Sequence, residues 1–353
     1  MSVHFSKERM IEVLCRHEAW WQGTLGRPLI NGLIYDAYTP SHSAKAPRIS
    51  QANCHDFSWT PEEVIEAVDA ELSQYSFILD GYPRFDLACF GPGVLAAFCG
   101  ARADNTSGGM WFFPCEEDVK KLHVAYDPEN PWAERIKAIC RAGVEKWQGS
   151  VVIGMPDLGG VMDVIASLCG TENLLFSLMD EPDEVHRLIA ETEKAWHDAY
   201  SDFSSILSAQ GAYTDWNGIL SRKPAYIPQC DFSYMLSPQM FREFVLPTIE
   251  RDTQMLSHTI YHLDGIGQLA HLDMLLSLPY LDAVQWVYGA GQPGPVHWMK
   301  TYEKILNAGK KIMIIDDPLS NGFRKIRETL HCTPYASVCA AQKDLSQALA
   351  LID

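Results

Sequence analysis

The stretch "TIYHLDGIGQLAHLDML" places His262 and Asp264 two residues apart, at the end of an apolar, β-rich run. On a strand, residues two apart point the same way. An imidazole and a carboxylate on one side of a strand end can share a metal ion. They can also form a hydrogen-bonded pair that orients a substrate, or Asp264 can fix the tautomer of His262. Other apolar runs end in polar groups too. "VVIGMPD" delivers Asp157, and "YTDWNG" delivers Asp215 and Trp216. "IPQCDFS" delivers Gln229, Cys230 and Asp231. "AVQWV" delivers Gln285 and Trp286, "IMIIDD" delivers Asp316 and Asp317, and "ASVCA" delivers Cys339. The set holds carboxylates, an imidazole and thiols but no lysine, which disfavours Schiff-base chemistry. Trp216 and Trp286 read as substrate platforms or as core. Asp316 and Asp317, followed by Pro318, read mostly as caps of the next helix.

These groups need a scaffold that brings strand ends together. From about residue 150, short apolar runs alternate with amphipathic helical patterns, and the order ends on a helix. That alternation predicts βα units around a parallel sheet. The expectation is a (β/α)8 TIM barrel over 60–353, with a helical and loop extension over 1–59. An open doubly wound sheet is the competitor. In a barrel, chemistry sits at the C-terminal strand ends, so Asp157, Asp231, His262, Asp264 and Cys339 should line one pocket. Ser6, Thr60 and Ser237 read as helix N-caps, with Pro61 and Pro238 at the first helical positions. The glycine-rich "CFGPGVLAAFCG" lacks the strand and the acidic residue of a dinucleotide fingerprint, so that reading is rejected.

Composition narrows the classes. The chain has 353 residues, with 45 acidic against 28 basic side chains and a formal net charge of −17. Such a surface repels phosphate backbones and anionic membranes. The first residues carry no apolar leader pattern and no run suits a membrane span, so a cytoplasmic location is expected. The ten cysteines form no C-x-x-C pair and read as reduced thiols, each most simply a small buried hydrophobe.

"FGPGVLAAFCG", "GMPDLGGVMDVIASLCG", "QCDFSYMLSPQMFREFVLP" and "YHLDGIGQLAHLDML" together resemble the landmarks of the uroporphyrinogen decarboxylase superfamily over about residues 60–353. The resemblance implies a (β/α)8 barrel. It also implies one of two activities, porphyrinogen decarboxylation or zinc-dependent methyl transfer between a corrinoid and an acceptor. The decarboxylases grip substrate carboxylates with an arginine-rich N-terminal segment. Here that region reads "GRPLINGLIYDAYTP", with Arg27 alone. The methyltransferases carry H-x-C-G on one strand and a lone Cys on the last. This chain has H-x-D-G at 262–265 and Cys339. The resemblance therefore implies Zn²⁺ on His262, Asp264 and Cys339, with a carboxylate making the ion a harder Lewis acid. Read from the residues themselves, Asp157, Asp231 and Asp86 are the candidate catalytic carboxylates. Trp216, Gln229, Cys230, Gln285 and Trp286, at the strand ends, are the candidate substrate contacts. The chain has no D-x-H-x-x-G corrinoid signature, so a cobalamin would ride on a partner protein. A small-molecule substrate and a homodimer complete the expected partners. The alternatives are a metal-free decarboxylase or lyase, with Asp86 or Asp231 stabilising a protonated intermediate, and a non-catalytic binding barrel.

Overall fold

A computed structural model describes residues 2–35, 44–315 and 318–353. Its strands are β1 (Leu29–Ile34), β2 (Ser76–Leu79), β3 (Arg84–Phe85), β4 (Arg102–Asp104), β5 (Trp111–Phe113) and β6 (Val152–Ile153). They continue with β7 (Ala225–Tyr226), β8 (His258–Asp264), β9 (Ala283–Val287), β10 (Lys311–Ile314) and β11 (Tyr335–Ala340). Helices separate most of these strands, so the class is mixed α/β.

The central sheet has seven strands in the order β2-β1-β11-β10-β9-β8-β7. Every neighbouring pair is parallel except β1 with β2. β3 and β6 form a separate parallel pair. Single backbone bonds extend from it, such as Met155 N–H to the Thr214 carbonyl at 2.7 Å. Among the described residues, then, the expected closed ring is not one continuous ladder. The strands on that side are only two residues long, and turn residues interrupt them. The 1–59 segment, expected as a helical and loop extension, supplies β1 between β11 and β2.

One row of side chains crosses five strands in register: His262, Gln285, Met313, Tyr335 and Leu29. Beneath it, Ile260, Ala283, Ile219, Ile227, Trp20 and Trp21 pack with Leu29, Met313 and Tyr335 into an apolar plug. The plug lies toward the N-terminal ends of β8 and β9, two positions before His262 and Gln285. The opposite face carries the large core, with Tyr261, Leu263, Val284 and Trp286.

The predicted caps form. Ser6 accepts from Arg9 N–H, and Ser237 from Met240 N–H. Thr60 and Glu63 make a reciprocal capping box. Arg27 precedes β1, at the end away from the candidate site. Both its terminal nitrogens donate to the buried Asp80 at 2.7 Å, so it braces the fold. No single helix among the described residues is long and apolar enough to cross a membrane.

Candidate functional site

β8 sets the first two groups. His262 and Asp264 alternate with the buried Leu263, so both face the concave side. Gln285 lies opposite His262 in the register. The Nδ1–H of His262 donates to Gln285 Oε1, while Gln285 Nε2 donates to Met313 Sδ at 3.3 Å. In the neutral ring this fixes the tautomer and places the lone pair on Nε2. That lone pair faces Asp264 Oδ2 at 3.9 Å and Asp231 Oδ1 at 4.0 Å. Trp216 stands edge-on to the ring at 5.1 Å.

Asp231 opens a short 3₁₀ turn after β7, Asp231–Met235. The Asp163 carboxylate pins this turn by accepting from Asp231 N–H at 3.1 Å and Phe232 N–H at 2.7 Å. The turn after β6 is equally constrained. Gly159 has φ +76°, and a Cβ on Gly160 would lie 2.1 Å from the Gln229 carbonyl oxygen. Only glycine allows that approach. Asp157, 6 % exposed, accepts from Gly159 N–H and Gln229 Nε2, each at 3.0 Å.

The site is electrostatically unbalanced. Burial pushes Asp157 up to about 6 and Asp215, only 1 % exposed, up to about 7. Burial and the facing Asp231 raise Asp163. Asp231 is also raised, by burial in the concave mouth and by Asp264 and Asp157 opposite. With 59 % of its side chain open, the facing charges are the firmer cause. Arg84 is the neighbouring cation. It pairs with Asp86 at 3.2 Å and donates to the Asp215 carbonyl. Asp86 itself caps the following turn through Ala88 N–H at 2.9 Å.

Asp231, His262 and Asp264 form one group of candidate metal donors, their ligand atoms all within 4.8 Å of one another. Donors on tetrahedral bonds of about 2.1 Å stand about 3.4 Å apart, so the 3.9 and 4.0 Å separations would have to close by about 0.5 Å, a small side-chain movement, around a divalent ion. The third member of this candidate group is Asp231, whereas Cys339, the expected third donor, is not among its atoms. Cys339 lies three strands from β8, about 14 Å of sheet at normal strand spacing. It lines a separate cavity of about 310 Å³ with Asn31, Tyr82, Arg84 and Ser337. Burial raises its thiol, so nothing there presets a thiolate.

Two expected substrate contacts are corrected as well. Trp286 alternates with Gln285 and so faces the core, edge-on to Trp298 at 5.3 Å. Cys230 alternates with Gln229 and is buried in the same core. Gln229, Gln285 and Trp216 do reach the site. Asp316 and Asp317 lie outside the described residues. Sequence reasoning missed Asp163, which sits inside a helix where only its fold neighbours reveal its role. It also missed the aromatic β5, in a region that reads as irregular.

Beside the donor group opens a cavity of about 540 Å³, lined by its Asp231 and by the neighbouring Gln229 and Asp163. Trp111, Phe112 and Phe113 of β5 and Phe232 line it. A second donor group, Glu193, His197 and Asp252, links two outer helices. Arg251 already holds both Glu193 oxygens, at 2.5 and 2.8 Å, so this is an ion-pair tie.

No family model and no curated protein matches the chain. Among solved structures it is similar to a methyltransferase from Methanosarcina mazei, with a TM-score of 0.63 and 14 % identity. The match covers 96 % of this chain and 97 % of that one. At this identity, what the two share is the fold.

Proposed function

We propose that the protein is a metal-dependent enzyme of small-molecule methyl transfer, built on a closed (β/α)8 barrel of the uroporphyrinogen decarboxylase type. In this reading β3, β6 and β7 complete the ring, and β1 belongs to the barrel. His262 Nε2, Asp264 and Asp231 hold the ion, Zn²⁺ being the candidate. One observation carries the reading. The His262 ring is locked by Gln285 with its free nitrogen turned toward two carboxylates. When bound, the metal supplies Lewis acidity and a coordination position for a substrate heteroatom. The chain's own groups do the rest. Gln285 holds the imidazole, and Asp163 holds the turn that carries Asp231. Asp157, with its pKa raised to about 6, is poised to exchange a proton near neutral pH. The methyl carrier we propose is a corrinoid on a separate protein.

A second reading rests on the raised carboxyls of Asp157 and Asp215. Without a metal, these would serve a decarboxylase or lyase as proton donors, and His262 and Asp264 would form a substrate clamp.

Metal analysis separates the two. Purified protein is titrated with Zn²⁺ alongside His262→Ala and Asp231→Ala. The methyl-transfer reading expects micromolar or tighter binding, lost in His262→Ala and weakened at least tenfold in Asp231→Ala. An absence of binding by the unmodified chain leaves the metal-free reading.

A further inference from the structure

The 540 Å³ cavity has an unusual combination of walls. Trp111, Phe112, Phe113 and Phe232 supply aromatic surface, and Met110 and Met235 add soft apolar surface. The charged side chains that line it are Asp163 and Asp231, and none of its lining residues is Lys, Arg or His. An anionic ligand would meet two carboxylates there with no basic side chain in the cavity wall beside them. A neutral apolar ligand would leave those carboxylates facing it without compensation.

The hydrogen bonds of Asp163, the more deeply buried of the two carboxylates, bear on the choice. Both Asp163 oxygens already accept backbone N–H groups, from Asp231 and Phe232. A primary ammonium needs several free acceptors for its three N–H bonds. A fully methylated cation needs none, since its charge is spread over methyl groups that pack on aromatic faces. The wall is also held in place. Gln51 accepts from Met110 N–H at 3.0 Å and donates to the Ala88 carbonyl at 3.2 Å, anchoring the β4–β5 hairpin. Yet Trp111 keeps 58 % of its surface exposed, and Phe113 keeps 40 %. The hairpin already stacks a cation on one ring, since the Arg102 guanidinium lies 4.7 Å from the Phe113 centroid. Arg102 is paired with Asp104 and does not line the cavity.

We propose that this cavity binds a small ligand through a methylated onium group, a quaternary ammonium or a sulfonium. The proposal rests on the methyl-transfer reading and names the chemical class of its small substrate. Asp163, which is not one of the three candidate metal donors, lines the cavity beside Asp231. The cavity exceeds the volume of a bare tetramethylated ion, so the ligand carries a further substituent.

The test uses the full chain and two shape-matched probes, choline and its neutral carbon isostere 3,3-dimethylbutan-1-ol. Binding is followed by calorimetry and by tryptophan fluorescence, with Zn²⁺ titrated in parallel. Choline should bind at least tenfold more tightly than the isostere. Trp111→Ala should cost about tenfold in choline affinity. Phe113→Leu provides a second, milder variant, and both should keep the Zn²⁺ affinity of the unmodified chain. Equal binding of the two probes overturns the proposal. So does choline affinity unchanged in both variants, or no choline binding by a chain that takes up Zn²⁺. Selective choline binding by a chain that takes up no Zn²⁺ upholds this inference and overturns the metal reading instead.

Discussion

From β8 through β9, β10 and β11 to β1, the strands run four to seven residues and form a continuous parallel ladder. β3, β6 and β7 are two residues each, and loop hydrogen bonds do much of the positioning there. The two halves place side chains by different physics. On the ladder, pleat alternation alone turns His262, Asp264 and Gln285 inward and Trp286 outward. On the short-strand side, each polar group is aimed by a particular partner. Gln229 and Gly159 N–H hold Asp157, and Asn217 N–H holds Asp215 at 2.7 Å. The ladder therefore supplies a locked imidazole, and the loops supply buried carboxyls with raised pKa values.

The sharpest way to break this contrast is at the seam where the ladder ends. Asp80 follows β2, and its carboxylate receives Arg27 bidentately and Ile30 N–H at 3.0 Å. These partners outweigh its burial and hold its pKa down. Removing it strands Arg27 beside a buried backbone donor. Asp80→Ala should lose about 3–5 kcal/mol of unfolding free energy. Urea denaturation measures it, and a loss under about 1 kcal/mol would mean that the seam does not join the two halves.

Next in size is a stabilisation. Asp215 has a folded pKa raised to about 7 against 3.8. Its protonated form is favoured in the folded state. The associated stability is complete below about pH 4 and is lost as pH rises toward and through 7. Asn keeps the oxygen that accepts from Asn217 N–H and never ionises. Asp215→Asn should therefore be more stable than the unmodified chain at pH 8, by about 4 kcal/mol, and should converge with it near pH 4. Parallel stability–pH curves would show that the loop side does not hold its carboxyls against ionisation.

On the ladder side, Gln285→Leu should leave global stability within about 1.5 kcal/mol while freeing the imidazole to rotate. Zn²⁺ affinity should drop about 10- to 100-fold, the usual cost of losing the partner that orients a ligand. Unchanged Zn²⁺ affinity would place the metal elsewhere or show that Gln285 does not preorganise His262.

The same division explains what could be read from the chain. The parallel α/β character and the inward pair His262 and Asp264 follow from hydrophobic periodicity, which is strong where strands are long. Cys230 and Trp286 could have been set aside on the same rule, since each sits one residue from a group that faces the site. β1 was harder to see, because "LINGLI" stands alone in a loop-rich stretch, with its partners β2 and β11 far away in sequence. Asp163 was beyond reach for a related reason. Its role is to accept two N–H groups from a turn 68 and 69 residues further along the chain.

The smallest expected effect tests the family pattern most directly. Resemblance assigns Cys339 to the metal, on the last strand of the ladder. Register puts it elsewhere. Tyr335 shares a row with His262, Ser337 stands one inward-facing position further, and Cys339 one further again. Its thiol is exposed to a separate cavity, and its pKa is raised by burial, with no cation lowering it. Cys339→Ser should change stability by less than about 0.5 kcal/mol, as surface substitutions do. It should leave Zn²⁺ affinity within about twofold, while Asp231→Ala weakens it at least tenfold. The reverse outcome, with Cys339→Ser abolishing Zn²⁺ binding and Asp231→Ala retaining it, would mean that the ladder closes on a metal by drawing β11 toward β8. The donor set would then be His262, Asp264 and Cys339, and Asp231 would be left free to face the cavity ligand as a full carboxylate.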